Sequence, residues 1–208
     1  MGDTPANGGR LIAFEGIDGC GKSTQLGRFA ENARRAGRDV VVTGEPTTGP
    51  TGRRIREMAR SGTALAPTEE LRWFVEDRRV HVREVVEPAL AAGRWVVTDR
   101  YFLSTVAYQG ARGLDFEQIL ADSESEFPVP DLVVLLEIDA SVALERIRSR
   151  GAVIERVFER KEFLEAVAEV FRAIDRPYLE RVAADTAPDA LEVEIFERVV
   201  ARFGSTSG

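Results

Sequence analysis

Short apolar runs alternate with longer amphipathic stretches along this chain. Each short run is followed at once by a glycine or an aspartate, and these runs predict β-strands at residues 11–15, 40–43, 95–98 and 132–138. The longer stretches predict helices at residues 22–35, 53–60, 68–91, 102–109, 116–123, 141–150, 162–184 and 191–203. The run at 132–138 is almost continuously apolar, which is typical of a strand buried on both sides in a parallel sheet.

Local signals support several of these boundaries. Gly37 follows the first helix as a stop signal. Thr68 is predicted to cap the long helix, with Glu70 in its first turn. A final strand at 182–186 is only weakly encoded. The alternation of strands and helices predicts an α/β fold in which helices cover both faces of a parallel sheet and ligands bind at the carboxyl ends of the strands.

The length of the chain favours a single domain. The 208 residues are predicted to form one domain at 10–203, with a flexible lead at 1–9 and a flexible tail at 204–208. A net charge of −7 argues against general nucleic-acid binding. Cys20 is the single cysteine, so an intrachain disulfide is excluded, as suits a reducing compartment. Neither a signal peptide nor an apolar run of about 20 residues is present, and we therefore expect a cytoplasmic protein without a membrane partner.

A glycine-rich segment follows the first predicted strand and matches the pattern G-x-x-x-x-G-K-[ST] at residues 16–23. Its backbone amides would cradle phosphate oxygens, and the following helix would add its positive dipole end. Lys22 would reach the β- and γ-phosphates, and the Ser23 hydroxyl would help to hold Mg²⁺. The alternative, a turn that binds nothing, is disfavoured by the strand before it and the helix after it. The predicted ATP-binding residues here are Gly16, Ile17, Asp18, Gly19, Cys20, Gly21, Lys22, Ser23 and Thr24.

A second metal ligand is expected at the end of another strand. Asp99 ends the apolar run at 95–98 and is followed by Arg100, an arrangement that would bring the carboxylate near the phosphates. Asp139 is the competing candidate. It is ranked lower because it precedes a predicted helix and is a plausible N-cap.

Further segments carry a resemblance to a known family. Glu45-Pro46 follows the second strand, Phe-Val-Glu-Asp-Arg-Arg-Val-His stands at 74–81, and Asp-Arg-Tyr-Phe-Leu-Ser at 99–104 runs into Ala-Tyr-Gln-Gly at 107–110. With the phosphate loop, these segments resemble the thymidylate kinases, which phosphorylate dTMP to dTDP with ATP and Mg²⁺. The resemblance spans about residues 10–203. It implies a P-loop kinase fold with a short lid at about 150–161.

The resemblance also implies an acceptor site. Arg100 would hold the acceptor phosphate, and Arg78 would contact the thymine carbonyl. Phe74 lies one helical turn before Arg78, so its ring could stack on the base, with core packing as the alternative. Asp18 would face the acceptor sugar and phosphate or else stabilise the loop. The predicted dTMP-binding residues are Asp18, Glu45, Pro46, Phe74, Arg78, Arg100, Ser104, Tyr108 and Gln109.

Two of these expectations concern individual roles. By the same resemblance, Tyr108 would occupy the space that a ribose 2′-hydroxyl needs, which predicts a preference for deoxyribose acceptors. His81, the only histidine of the chain, is predicted to be structural rather than catalytic.

The predicted lid is basic within an acidic chain. Residues 146–161 carry six basic and two acidic side chains, and such a segment would neutralise charge during phosphoryl transfer. A solvated helix end is the alternative. Thymidylate kinases place a catalytic arginine in the phosphate loop or in the lid, and the loop here has none. The catalytic arginine is therefore expected in the lid, and Arg150 and Arg156 join Lys22 and Arg100 as predicted catalytic residues. Arg146 is expected to bind ATP.

One departure and several rival functions stay open. The arginine that usually precedes Glu-Pro is Gly44 here, and Arg53 or Arg54 is a candidate replacement. Rival functions are a related nucleotide kinase with another acceptor, or a catalytically weak nucleotide-binding regulatory protein. A guanine-nucleotide switch is excluded, because Lys22 and Lys161 are the only lysines and no Asn-Lys-x-Asp motif exists. The expected partners are ATP and dTMP, and the family further implies a homodimer.

Overall fold

The computed structural model describes residues 8–62, 65–149 and 157–204. Within these residues, five parallel strands form one sheet in the order β2-β3-β1-β4-β5. The strands are β1 (Arg10–Glu15), β2 (Val40–Gly44), β3 (Trp95–Asp99), β4 (Leu132–Glu137) and β5 (Leu179–Ala183). The helices are α1 (Lys22–Arg35), α2 (Pro50–Ser61), α3 (Pro67–His81), α4 (Glu87–Ala91), α5 (Phe102–Gly110), α6 (Phe116–Glu126), α7 (Ala140–Ser149), α8 (Val157–Ala173) and α9 (Pro188–Phe203), with a π-helical turn at Val82–Val86 between α3 and α4.

The strand order explains how the helices cover both faces of the sheet. The crossover from β1 to β2 runs in one direction along the sheet, and the later crossovers run in the other. Because such crossovers are right-handed, α1 lies on one face and the helices of the later crossovers lie on the opposite face. The last helix, α9, packs on α1. The predicted α/β fold with a parallel sheet between two helical layers is confirmed.

The reversal of direction also positions the site. Chain direction along the sheet switches between the adjacent strands β1 and β3, and ligands of such sheets bind at this switch point beyond the carboxyl ends of the strands. The register pairs Phe14 with Asp99 and Gly44 with Asp99. The segments that follow β1, β2 and β3 therefore leave the sheet side by side.

The central strands form the core. In β1 the side chains from Leu11 to Phe14 are almost completely buried, and β4 is equally apolar and buried from Leu132 to Leu136. This burial on both faces accounts for the continuous apolar runs in the sequence. Among the helices described, none is long and apolar enough to cross a membrane.

The structure corrects two predictions of secondary structure. Thr68 does not cap α3, because that helix begins at Pro67 and Ala66 is its N-cap. Proline suits the first helical position, because the amide that it lacks would have no partner within the helix there. The helix predicted at 162–184 ends at Ala173, before Pro177, and the chain then forms β5 along β4. The weakly encoded last strand thus exists, but lies a few residues earlier than 182–186.

Parts of the predicted domain plan lie outside the described residues. These are most of the lead and tail, at residues 1–7 and 205–208, and the lid segment 150–156, which includes Arg150 and Arg156.

Candidate active site

The glycine-rich segment forms a tight loop between β1 and α1. Gly16 has a φ of 138°, and a Cβ there would lie 2.5 Å from the carbonyl oxygen of Leu136. Gly19 has a φ of 86°, and a Cβ there would lie 2.4 Å from the carbonyl oxygen of Ala143. Both positions therefore require glycine, because the loop is pressed against the end of β4 and against α7.

Lys22 lies inside this loop. Its Nζ donates hydrogen bonds of 3.0 Å to the carbonyl oxygens of Gly16 and Ile17 and contacts the sulfur of Cys20 at 3.7 Å. Burial and the nearby Arg100 lower the pKa of Lys22. The ammonium group is thus held at the centre of the backbone cradle, where phosphate oxygens would bind.

The predicted metal ligands converge. The Ser23 hydroxyl donates to Asp99 Oδ2 at 2.5 Å, across the gap between the phosphate loop and the end of β3. A hydroxyl and a carboxylate oxygen side by side suit Mg²⁺, which prefers oxygen ligands and keeps several water or phosphate ligands of its own. The described residues contain no cluster of three or more His, Cys, Asp or Glu side chains that could hold a metal.

Asp139, the competing candidate, has a different role. Its Oδ1 accepts a hydrogen bond of 2.7 Å from the amide of Ser141, at the first turn of α7. It therefore acts as the N-cap that the sequence suggested as its alternative role.

Arg100 is held in a strained backbone conformation next to the loop. Its φ of 70° is the only positive value among the non-glycine residues that the structure describes. Its guanidinium donates to Asp18 Oδ1 and Ser104 Oγ, both at 2.6 Å, and to the carbonyl oxygen of Gly16 at 3.2 Å, and it lies 5.1 Å from the centre of the Tyr108 ring. Strain of this kind persists where the surrounding contacts enforce it, commonly at functional sites.

The Asp18 carboxylate lies close to three cationic side chains, those of Arg100, Lys22 and Arg160. Burial by itself would raise the pKa of this carboxylate, but Arg100, Lys22 and Arg160 outweigh burial and lower the pKa below its ordinary value. Arg160, in the first turns of α8, reaches Asp18 Oδ2 at 3.2 Å. The hydroxyl of Tyr108 accepts a hydrogen bond of 3.2 Å from the Asp18 amide, and burial raises the pKa of Tyr108 to about 12. Asp18 is therefore the point at which loop, β3 end and α8 meet.

Glu15 supports this arrangement from below and was not singled out from the sequence. It is completely buried at the end of β1 and accepts hydrogen bonds from the amides of Tyr101 and Ser104 and from the Ser104 hydroxyl. Burial raises the pKa of Glu15 above its ordinary value. The Phe-Glu-Gly sequence before the loop carried this signal, because a charged residue ending an apolar strand needs buried partners.

Two adjoining cavities open over these residues. One of about 830 Å³ covers the phosphate loop, Asp99 and the ends of β2 and β3. A narrower one of about 310 Å³ is lined by Phe74, Arg78, Tyr101, Ser104, Thr105 and Tyr108. Both cavities are lined by Asp18, Glu45, Pro46, Arg56 and Arg100. Phe74 is only partly buried, so its ring forms a cavity wall rather than part of the core.

Arg78 is buried beside this narrower cavity. Its Nε and one terminal nitrogen both donate to Glu45 Oε2, at 2.9 and 2.6 Å, and that terminal nitrogen also donates to Thr105 Oγ1 at 2.8 Å. The other terminal nitrogen has no protein partner among the described residues. Gln109 is not among the residues lining the cavity; it donates to Glu70, which does line it, at 2.9 Å.

Comparisons with known proteins agree with this geometry. The family model described as thymidylate kinase matches residues 14–194. Among curated proteins, the chain is 44% identical to a thymidylate kinase of Akkermansia muciniphila over the whole of both chains. It is 42% identical to a thymidylate kinase of Desulfotalea psychrophila over 93% of this chain and 95% of the relative. It is also 42% identical to a thymidylate kinase of Xanthomonas euvesicatoria over 88% of this chain and 80% of the relative.

The chain belongs to the thymidylate kinase family.

Gly44, the residue before Glu45-Pro46, is tightly placed. A Cβ at Gly44 would lie 3.0 Å from the carbonyl oxygen of Asp99. The candidate replacements are engaged elsewhere, because Arg53 donates to the carbonyl oxygen of Thr48 and the Arg54 guanidinium lies 3.6 Å from the centre of the Trp73 ring. Neither Arg53 nor Arg54 lines either cavity.

Arg56 is the α2 cation that the sequence argument missed. It lines both cavities and donates to the carbonyl oxygens of Thr47 and Pro46. Ile55 and Ala59 of the same helix also line the narrower cavity.

Arginines of the two helices that flank residues 150–156 approach the loop, one from α7 and one from α8. Arg146 of α7 donates to the carbonyl oxygen of Cys20 at 3.4 Å, which places it beside the phosphate cradle. Arg148, two residues further on, is exposed. Arg160 of α8 donates a hydrogen bond of 3.2 Å to Asp18 Oδ2, so it lies beside the same loop.

Proposed function

We propose that this chain transfers the γ-phosphoryl group of ATP to dTMP, giving ADP and dTDP. The observation that carries the proposal is the wall shared by the two cavities: a phosphate cradle and an aromatic, arginine-lined pocket meet at Asp18 and Arg100. Membership of the thymidylate kinase family identifies the two ligands as ATP and dTMP.

The geometry around that wall supports the following roles for the residues. A phosphate oxygen of dTMP attacks the γ-phosphorus, the bond from that phosphorus to the β–γ bridging oxygen breaks, and ADP leaves with the electron pair. Lys22 and the loop amides neutralise the donor phosphates. Arg100, fixed by Asp18 and Ser104, holds the acceptor phosphate in line.

The pocket residues would orient the acceptor. The Phe74 ring stacks on the thymine, and the terminal nitrogen of Arg78 without a protein partner donates to a base carbonyl oxygen. Tyr108 closes the sugar side. Gln109 acts through Glu70, a role behind the wall rather than a direct contact.

We also assign a metal and a lid to the reaction. Ser23 and Asp99 would hold Mg²⁺, which supplies neutralisation of the donor phosphates when bound. Because charge spreads over three oxygens during transfer, a further cation is needed beside Lys22. We assign it to the lid, at Arg150 or Arg156, with Arg146 on the ATP side.

The wider setting is proposed on less specific grounds. The net charge of −7 and the family support a protein that acts on two small nucleotides in the cytoplasm, without a nucleic-acid or membrane partner. The family supports a homodimer. Light scattering coupled to gel filtration measures the mass directly, and a monomer at micromolar concentration would contradict the dimer.

A coupled assay of ADP release tests the reaction. ATP and Mg²⁺ are supplied with dTMP, dUMP, dCMP, dGMP or thymidine, and kcat/KM is compared across these acceptors. We expect dTMP to be the best acceptor and thymidine, which has no phosphate for Arg100, to give only background. A higher kcat/KM with another nucleotide would make the chain a different nucleotide kinase. Binding of dTMP without turnover would make it a regulatory protein.

A further inference from the structure

A chain of buried hydrogen bonds runs from the edge strand β2 to the narrower cavity. The His81 ring lies between two side chains: its Nε2 is 2.7 Å from Thr43 Oγ1, and its Nδ1 is 2.9 Å from Glu45 Oε1. The other oxygen of Glu45 accepts the two hydrogen bonds from Arg78. The side chains of His81, Glu45 and Arg78 are all at least 95% buried.

The direction of these hydrogen bonds is fixed by chemistry. An ionised carboxylate only accepts, so Nδ1 of His81 must donate to Glu45. In the neutral ring, Nε2 then accepts the hydroxyl proton of Thr43; in the charged ring, Nε2 donates to the Thr43 oxygen. In either state His81 holds one oxygen of Glu45 and leaves the other for Arg78.

The position of Glu45 determines the orientation of Arg78, which lines the narrower cavity. Because Nε and one terminal nitrogen are occupied by Glu45 and Thr105, the guanidinium has one rotational setting. Its carbon lies 5.4 and 5.5 Å from the centres of the Tyr101 and Phe127 rings. The remaining terminal nitrogen is buried and has no protein partner in the described part of the chain. A buried donor in that position is prepared for a carbonyl acceptor on a ligand.

We propose that His81 is a positioning residue for recognition of the acceptor base: it fixes Glu45, and Glu45 fixes the orientation of Arg78. His81 lines the larger cavity and not the narrower one, so it acts on the acceptor base only through Glu45 and Arg78. The proposal rests on the proposed function, in which Arg78 contacts the base.

Three variants test this role. His81→Leu removes both hydrogen bonds and leaves Oε1 of a buried carboxylate without its donor, which frees Glu45 and Arg78 to turn. We expect the KM for dTMP to rise about tenfold, which corresponds to about half of what a hydrogen bond to a charged group contributes. The kcat and the KM for ATP should stay within about twofold, because the phosphate loop keeps all of its contacts.

His81→Asn is the conservative variant. Its amide nitrogen can occupy the position of Nδ1 and donate to Glu45, although it cannot reach Thr43. We therefore expect it to bring the KM for dTMP back to within about threefold of wild type.

Val86→Ala is the matched control for stability. Val86 is completely buried five residues further along the same helical segment, and it lines neither of the two cavities. It should lower the Tm as His81→Leu does, without changing the KM for dTMP.

The outcomes separate the two proposals. Wild-type turnover across the acceptors tests the proposed function, and the ratio of variant to wild-type KM tests His81 with whichever pyrimidine nucleotide the wild type uses. An unchanged KM in His81→Leu would overturn the positioning role. So would equal losses in His81→Leu and His81→Asn, or a parallel fall of kcat and of affinity for ATP, because those patterns indicate a structural role only.

Discussion

At the scale of single residues, the site depends on charged groups held in buried positions by several partners each. Arg100 is kept in a left-handed backbone conformation, and Ser104, Asp18 and the Gly16 carbonyl oxygen fix its side chain. An arginine oriented in this way needs no reorganisation when an anion arrives. The same principle applies to Lys22, which the loop surrounds with carbonyl oxygens.

Lys22→Ala should separate donor chemistry from acceptor binding. Among the described residues, the hydrogen bonds of Lys22 go to the phosphate loop, and so we expect kcat to fall by at least about 100-fold while dTMP still binds with near wild-type affinity. Steady-state kinetics and calorimetry with dTMP measure the two quantities. Near-normal turnover would contradict the role assigned to the loop.

Phe74→Ala and Arg78→Ala should weaken the acceptor far more than ATP. Loss of a stacked base contact is worth roughly 1–3 kcal/mol in other base-stacking sites, which raises the dissociation constant of dTMP by roughly 5- to 150-fold. Arg78→Ala also leaves buried Glu45 without its ion-pair partner and should lower the free energy of unfolding by about 3 kcal/mol. Unchanged dTMP affinity in both variants, measured by calorimetry, would return Phe74 to a packing role.

Tyr108 should exclude ribose. Its ring is held between Arg100 and Phe163, and its hydroxyl is fixed by the Asp18 amide, so it has little freedom to move away from a 2′-hydroxyl. We expect kcat/KM to be at least about tenfold lower for the ribo analogue of dTMP than for dTMP. Tyr108→Ala should make the difference in kcat/KM between the two acceptors smaller. Equal specificity constants in the wild type would refute the role.

At the scale of elements, the predicted lid lies between α7 and α8 in the sequence, and we propose that it supplies the further cation. Arg150→Ala or Arg156→Ala should lower kcat by roughly 10- to 1000-fold with little change in the KM for dTMP, because the contact is made mainly in the transition state. Arg148 is exposed on α7 and its alanine variant is the matched control. If alanine variants of Arg146, Arg148, Arg150 and Arg156 all keep wild-type kcat, the cation must come from elsewhere, and Arg56 is the candidate.

The sequence predicted those elements whose patterns are local. The loop glycines, the apolar strands and the boundaries of α1 follow from spacing and periodicity, and the structure contains them. The prediction of one helix over 162–184 was wrong, because β5 is an edge strand with the charged residues Glu180 and Arg181 in its middle. Its own sequence therefore does not mark it as a strand, and it is stabilised as one by pairing with β4. Pairing between distant segments leaves little trace in a single sequence.

The same limit applies to the site. The contact between Ser23 and Asp99 was predictable. Asp99 ends one strand and the loop before Ser23 follows another, and both strands end at the same edge of a parallel sheet. The partners of Glu15, Thr43 and Arg56 were not predictable, because each is brought close only by tertiary packing. Gln109 illustrates the converse, since its motif was recognised but its side chain lies behind Glu70.

At the scale of the whole molecule, the proposed phosphoryl transfer depends on two binding sites that form one continuous groove. The switch point between β1 and β3 places the phosphate loop beside Arg100, and α3 and α5 line the narrower cavity, which also borders Asp18. Transfer without loss to water requires the two substrates to meet inside this groove.

Calorimetry with adenosine and thymidine joined through a chain of five phosphates tests this continuity most directly. If the cavities form one groove, the compound should bind one molecule per chain, at least about 100-fold more tightly than ATP or dTMP alone, because the second contact becomes intramolecular. It should also compete with both nucleotides. Binding no tighter than that of ATP, with dTMP still able to bind beside it, would contradict the account.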